Sequence, residues 1–268
     1  MFDYNKRTYI MGILNVTPDS FSDGGKFNSI DQALKHALEM VKEGADIIDL
    51  GGESTRPGHI YVDVDYVDVD EELKRVIPVV KKLKEELDTP ISVDTCKAKV
   101  ADESLKLGAE MINDIWGLRK DKDMANVIAK HNAYVCIMHN QDGTEYDKDI
   151  IESIKEFLLE SVDIAREAGI DKNKIVLDPG IGFGKTYEQN LEVLKRLGEL
   201  KTLGYPILLG TSRKSVIGNT LNLPPQERVE GTIATTVLGI RDGVDIVRVH
   251  DVEKNLRAAK MADAIYRV

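Results

Sequence analysis

The sequence is poor in cysteine, and the two it has, Cys96 and Cys136, form no metal-ligand spacing. Both read as small buried residues of a protein kept in a reducing compartment. No apolar run approaches the ~20 residues that a membrane span needs. Met1 to Arg7 are polar, so no signal peptide is expected and the chain reads as cytoplasmic. A surplus of cations is also missing: 36 Lys and Arg against 46 Asp and Glu leave a net charge of −10 at pH 7. That argues against a nucleic-acid partner, because a phosphate backbone needs clustered cations. No Ser–His–acid constellation or reactive-cysteine motif is evident, which removes the usual signatures of nucleophilic catalysis. Two nucleotide-binding signatures fail on single residues. A Walker A loop ending in Gly184-Lys185-Thr186 needs Gly where Pro179 stands, and a dinucleotide fingerprint from Gly180 and Gly182 needs Gly where Lys185 stands.

What the chain does have is one unit, repeated. The organising stretch is Ile175-Val176-Leu177-Asp178-Pro179-Gly180-Ile181-Gly182-Phe183-Gly184-Lys185: a buried apolar strand that stops at an acid, then a turn of Pro and glycines with one aromatic and one cation. Tyr9 to Leu14 stops at Asn15 in the same way, and Asp46 to Leu50 runs into the loop from Gly51 to Gly58. Ile91 to Val93 stops at Asp94, Met111-Ile112 at Asn113-Asp114, Tyr134 to Met138 at His139-Asn140. Ile207 to Gly210 leads into Thr211-Ser212-Arg213-Lys214-Ser215, and Ile246 to Val249 contains Arg248 and stops at His250. Helical spacing follows each strand, with a capping box expected at Ser29 and Gln32, Gly44 stopping the first helix and Asp251 capping the last. About eight strand–helix units with continuously apolar strands predict an α/β fold, a TIM (β/α)8 barrel, as one domain over residues 1–268. A doubly wound open sheet is the alternative. A segment from His59 to Asp70 alternates apolar and acidic residues and reads as a solvated lid or an edge hairpin.

Position makes the polar residues informative. Asn15, Asp49, Asp94, Asn113, His139, Asp178, Arg248 and His250 all fall at the C-terminal ends of strands, the face on which barrel enzymes build their sites. Asp94, Asn113 and Asp178 offer acceptors and one amide, which suits a flat heterocycle presenting N–H edges, and Lys214 stands ready to donate. Arg213, Arg248 and His250, with Arg56 across the mouth, form a local positive cluster in an acidic protein and point to phosphate or pyrophosphate. Asn15 is a neutral oxygen ligand, adequate for a Mg²⁺ held mostly by substrate phosphates.

These residues carry a resemblance. Met11 to Gly25, Asp49 to Gly58, Ser92-Val93-Asp94-Thr95, Ile112-Asn113-Asp114, Met138-His139-Asn140, Asp178 to Lys185, Gly210 to Ser215 and Arg248 to Asp251 resemble, in this order, the motifs of the bacterial dihydropteroate synthase family of pterin-binding barrels. The segment after Gly58 looks longer than the usual family loop. The resemblance implies a transferase of folate biosynthesis, a sulfonamide target. It would join 6-hydroxymethyl-7,8-dihydropterin pyrophosphate to p-aminobenzoate and release pyrophosphate, with Mg²⁺ as cofactor and a homodimer as assembly. It implies that Asp94, Asn113, Asp178 and Lys214 hold the pterin, and that Asn15, Arg56, Arg248 and His250 hold the pyrophosphate, Asn15 through the metal. Phe21, Thr55, Pro57, Phe183 and Ser215 would shape the p-aminobenzoate site. Asp94, Lys214, Arg248 and Asp19 would carry the chemistry. Two other readings are a folate-dependent methyltransferase and a non-catalytic pterin-binding paralogue. The Ser-Arg-Lys-Ser and Arg-Val-His elements argue against the first, and intact Asn15, Lys214 and Arg248 against the second.

Overall fold

Eight short strands run in one direction around a barrel axis, each apolar enough to be covered on both faces. They are β1 (Tyr9–Asn15), β2 (Ile47–Gly51), β3 (Ile91–Asp94), β4 (Met111–Asp114), β5 (Tyr134–Met138), β6 (Ile175–Asp178), β7 (Leu208–Leu209) and β8 (Ile246–Val249). The computed structural model describes residues 2–4, 6–16, 26–52 and 67–267. Pairing is parallel throughout, in the order β6-β5-β4-β3-β2-β1-β8-β7, and a bridge between Leu177 and Ile207 joins the two ends into a (β/α)8 barrel. The outer layer comprises α1 (Lys26–Glu43), α2 (Val69–Glu86), α3 (Ala98–Lys106), α4 (Met124–Lys130), α5 (Ile150–Glu167), α6 (Tyr187–Lys195), α7 (Ser215–Leu221), α8 (Val229–Arg241) and α9 (Val252–Tyr266).

Alternation along each strand decides everything inside. Ile10 and Leu14, Ile48 and Leu50, Ile91 and Val93, Val135 and Ile137, Ile175 and Leu177 pack outward against the helices. The residues between them face the barrel axis. At the lower level these are apolar: Tyr9, Met11, Ile47, Met111, Cys136, Val176, Leu208 and Ile246 make one cluster. Two residues further along, the inward position is polar or charged on five strands. Ile47 is followed by Asp49, Ser92 by Asp94, Met111 by Asn113, Val176 by Asp178 and Ile246 by Arg248. Below the apolar layer, Phe2 and Tyr4 close the bottom against Tyr9 and Tyr134, with ring centroids 4.9–5.8 Å apart.

The helix signals were partly misplaced by sequence reading. α1 begins at Lys26, so Ser29 and Gln32 lie within it rather than at its cap. A reciprocal capping box occurs instead at Thr186 and Gln189, opening α6. Asp251 stands at the cap position of α9 but makes no cap bond, because its carboxylate is held by Arg213. Gly44 does end α1, in a left-handed conformation at φ 101°. Ile240 and Val237 pack toward the barrel, while Leu238 between them is exposed. The alternating segment falls mostly on residues 59–66, outside the described residues.

Candidate active site

The strand alternation brings Asp49, Asp94, Asn113, Asp178 and Arg248 to one level at the C-terminal end of the barrel. Arg248, from β8, reaches across the axis. Its Nε donates to Asp49 Oδ2 at 2.6 Å and its Nη2 to Asp94 Oδ2 at 2.9 Å. Asn113 Nδ2 donates to the same Asp49 oxygen at 3.2 Å. That bond fixes the amide's orientation, since a carboxylate bridged to a guanidinium only accepts. Asp49 Oδ1, Asp94 Oδ1 and Asn113 Oδ1 are buried acceptors with no partner among the described residues. Buried acceptors without donors cost about 1–3 kcal/mol each, and three together mark a surface shaped for a ligand that brings N–H groups.

Asp178 closes the far side. Its Oδ1 accepts the Gly180 N–H at 2.7 Å. Lys214 comes from the loop after β7; its Nζ donates to Ile181 O at 2.6 Å and lies 4.7 Å from the centroid of the Phe183 ring. Between them stands Gly210, where a Cβ would lie 3.8 Å from Lys214 Nζ and 3.9 Å from both Arg248 Cβ and Asp178 Oδ2. Any longer side chain there would fill the floor, so Gly210 belongs to the site although sequence reading gave it no role. Asp49 was noticed on the rim but assigned nothing; its partner lies 199 residues away.

Burial controls the charges. It pushes the Asp94 carboxyl up to about 7, opposed by Arg248 and reinforced by Asp49. It raises Asp178 as well, against Lys214 and the Gly180 N–H. Lys214 is pushed down to about 8 by the same burial, against the pull of Asp178. Arg248 is raised, the carboxylates of Asp49 and Asp94 outweighing the effect of its burial.

The positive cluster read from sequence needs correction. Burial pushes His250 down to about 3, with Arg213 and Arg248 adding, so at neutral pH it offers a hydrogen bond and no charge. Its Nδ1 meets Ser212 Oγ at 2.9 Å, and the same Oγ accepts the His250 backbone N–H at 3.1 Å. Arg213, at φ 59°, forms a two-bond ion pair with Asp251 and does not face the floor. Asn15 is exposed at the end of β1, Phe183 is half-buried and Ser215 is exposed at the first position of α7. Asp19, Phe21, Thr55, Arg56 and Pro57 lie outside the described residues. Among the described residues, no group of three or more His, Cys, Asp or Glu is arranged to hold a metal ion.

Known proteins resemble this one along its whole length. A family described as pterin binding enzyme matches residues 11–250. A dihydropteroate synthase of Clostridium beijerinckii is 61% identical over 267 residues, 99% of this chain and 97% of that protein. A crystal structure of dihydropteroate synthase from Clostridium difficile, obtained in the presence of pteroic acid, superposes with a TM-score of 0.97 at 73% identity and covers 100% of both chains. One from Yersinia pestis, in complex with a sulfonamide drug, superposes at 0.89 with 45% identity, covering 98% of this chain and 95% of that one.

Proposed function

Given that the chain belongs to the pterin-binding enzyme family and acts as a dihydropteroate synthase, we propose that Asp94, Asn113, Asp178 and Lys214 hold the dihydropterin. The enzyme is a transferase of folate biosynthesis and a sulfonamide target. It condenses 6-hydroxymethyl-7,8-dihydropterin pyrophosphate with p-aminobenzoate to give 7,8-dihydropteroate and pyrophosphate. The observation that carries the assignment is the set of unpartnered buried acceptors, Asp94 Oδ1 and Asn113 Oδ1, beside Asp178. A pterin edge supplies the ring N–H and amine donors they lack.

The chemistry follows from charge. The bond from the methylene carbon to the pyrophosphate oxygen breaks, a C–N bond to the aryl amine forms, and the amine gives up a proton. Positive charge develops on the dihydropterin, and Asp94 faces it as an anion. Arg248 draws charge from the leaving pyrophosphate, and His250 donates to it as a neutral imidazole. An aryl amine is already nucleophilic, which agrees with the missing nucleophile-activation motif. Phe183 and Ser215 serve the p-aminobenzoate side, with Phe21, Thr55 and Pro57 carried there by resemblance, as Asp19 is to the chemistry and Arg56 to the pyrophosphate.

Mg²⁺ fits Asn15, whose amide oxygen is a neutral ligand at the barrel mouth. The ion would take most of its oxygens from the pyrophosphate and neutralise the leaving group. A homodimer is supported by exposed Leu191, Leu221 and Leu238 on the consecutive helices α6, α7 and α8, with Met261, Ile265 and Tyr266 on α9. Light scattering on the wild type and on Leu238→Glu tests this assembly, with loss of the dimer expected in the variant. We assign the protein to the cytoplasm on its cysteine usage, Cys96 and Cys136 both being free thiols. Among the described residues, no helix is long and apolar enough to cross a membrane. The deciding assay is pyrophosphate release with both substrates and Mg²⁺ present. Omitting the pterin, p-aminobenzoate or the metal should each abolish it, and release that ignores p-aminobenzoate would overturn the reading.

A further inference from the structure

Lys185 is the cation that ends the Asp178 stretch, and the reaction just described gives it no task. Its ammonium is buried and donates to three acceptors, each at 2.9 Å: Gly180 O, Phe183 O and His139 Nδ1. In the protonated form its three N–H donors meet these three acceptors and leave none for a substrate; burial pushes the pKa of this ammonium down to about 7, against the pull of Asp178. Its partners are the first and last carbonyls of one turn. Gly180 O also takes the Phe183 N–H at 3.1 Å, closing that turn, and Gly180 N–H goes to Asp178 Oδ1.

We propose that Lys185 is a positioning residue for the pterin side of the reaction, holding the Gly180–Phe183 turn against His139 so that Asp178, bound to the turn through Gly180 N–H, is presented in register. Several features converge on this role. Gly180 has φ 69°, and a Cβ there would lie 1.9 Å from His139 O, so the turn is pressed against the end of β5. Lys214 takes one of the two middle carbonyls, Ile181 O, at 2.6 Å. Two lysines thus grip one glycine-rich turn. Burial, with Lys185 adding, pushes His139 down to about 2, so its ring is neutral, and the Lys185 ammonium against Nδ1 selects the tautomer with its proton on Nε2, which leaves Nδ1 as an acceptor.

The inference rests on Asp178 serving the pterin, and the experiment separates the two claims. First, KM for dihydropterin pyrophosphate and for p-aminobenzoate is measured on the wild type; failure of the wild type to use both overturns the function and not the clamp. Lys185→Met is then expected to raise KM for the pterin pyrophosphate tenfold or more while KM for p-aminobenzoate moves less than threefold. A folded Lys185→Met enzyme with both values unchanged, or with both raised equally, overturns the positioning role. If Lys185→Met does not fold, the acceptor is varied instead. His139→Gln keeps an oxygen acceptor and should leave the pterin KM within twofold of wild type, whereas His139→Leu should raise it at least fivefold. Equal behaviour of the two His139 variants overturns the proposal.

Discussion

The two ends of this barrel use the same residue types for opposite purposes. At the bottom, acids receive the amides of incoming strands and are fully answered. Asp46 accepts from Ile10 N and from Arg7, Glu110 from Ile91 N and Lys84, Asp245 from Ile207 N and Lys201, and Asp263 from the Thr8 amide and hydroxyl. Among the described residues of the aromatic plug, the Tyr4 hydroxyl is buried and without a partner. At the top, Asp49, Asp94 and Asn113 each keep a buried oxygen unanswered. Carboxylates at the bottom stitch strands together, whereas at the top they wait for donors that the described residues do not supply. Function is legible here as unfinished hydrogen bonding held in place by finished hydrogen bonding elsewhere.

If this division is right, substitutions at the two ends should separate catalysis from stability. The largest effect is expected for Asp94→Asn at the top. It should lower kcat by about 10²-fold or more, the scale of losing one preorganised electrostatic stabiliser. The melting temperature at pH 7–8 should stay equal or rise, since a buried charge has been removed. A variant that melts lower yet turns over normally would reverse the assignment. Asp245→Asn at the bottom should do the opposite. It weakens the hold on Ile207 N and removes the ion pair with Lys201, at a cost of about 1–3 kcal/mol in urea denaturation. Its kcat/KM under native conditions should match wild type, and a kinetic defect would show that the two ends are coupled.

A smaller effect is expected in the pH dependence of stability. The Asp94 pKa is raised from 3.8 to about 7, so between these values the folded state holds a proton that the unfolded chain releases. This group's contribution therefore falls as pH rises from about 4 to about 7, and it is flat outside that window. Asp94→Asn should remove that share of the slope in melting curves taken across pH 4 to 8, while Asp245→Asn retains it. The smallest effect belongs to Arg7→Ala, at the rim of the bottom. Its pair with Asp46 is largely solvent-exposed, so the loss should stay under about 1 kcal/mol with no change in kcat. Any change in substrate KM there would contradict the separation.

How much of this was readable beforehand depends on distance along the chain. The barrel follows from local pattern: apolar strands of period two, polar stops, and helices of period 3.6 between them. The same alternation places Asp94, Asn113 and Asp178 on one inner face, because each follows an inward apolar or small residue by two positions. What could not be read was pairing across the barrel. Arg248 and Asp49 meet only once the sheet has curled, and nothing near either residue announces the other. Likewise, His250 looks like a cation in sequence, and only its burial beside Arg213 and Arg248 makes it neutral. The misplaced capping box has a similar cause. Ser and Gln three apart are permissive inside a helix, and only a chain that actually leaves the helix makes both reciprocal bonds, as at Thr186 and Gln189.

The strand alternation carries one further consequence. Each inward position is separated from the next by two residues, about 6.6 Å along a strand. The floor is consequently a single tier, to which five different strands contribute one residue apiece. Within that tier Arg248 joins Asp49 to Asp94 and Asn113 donates to Asp49, so exchanging any of these four shifts its neighbours as well, while the apolar tier beneath keeps its packing.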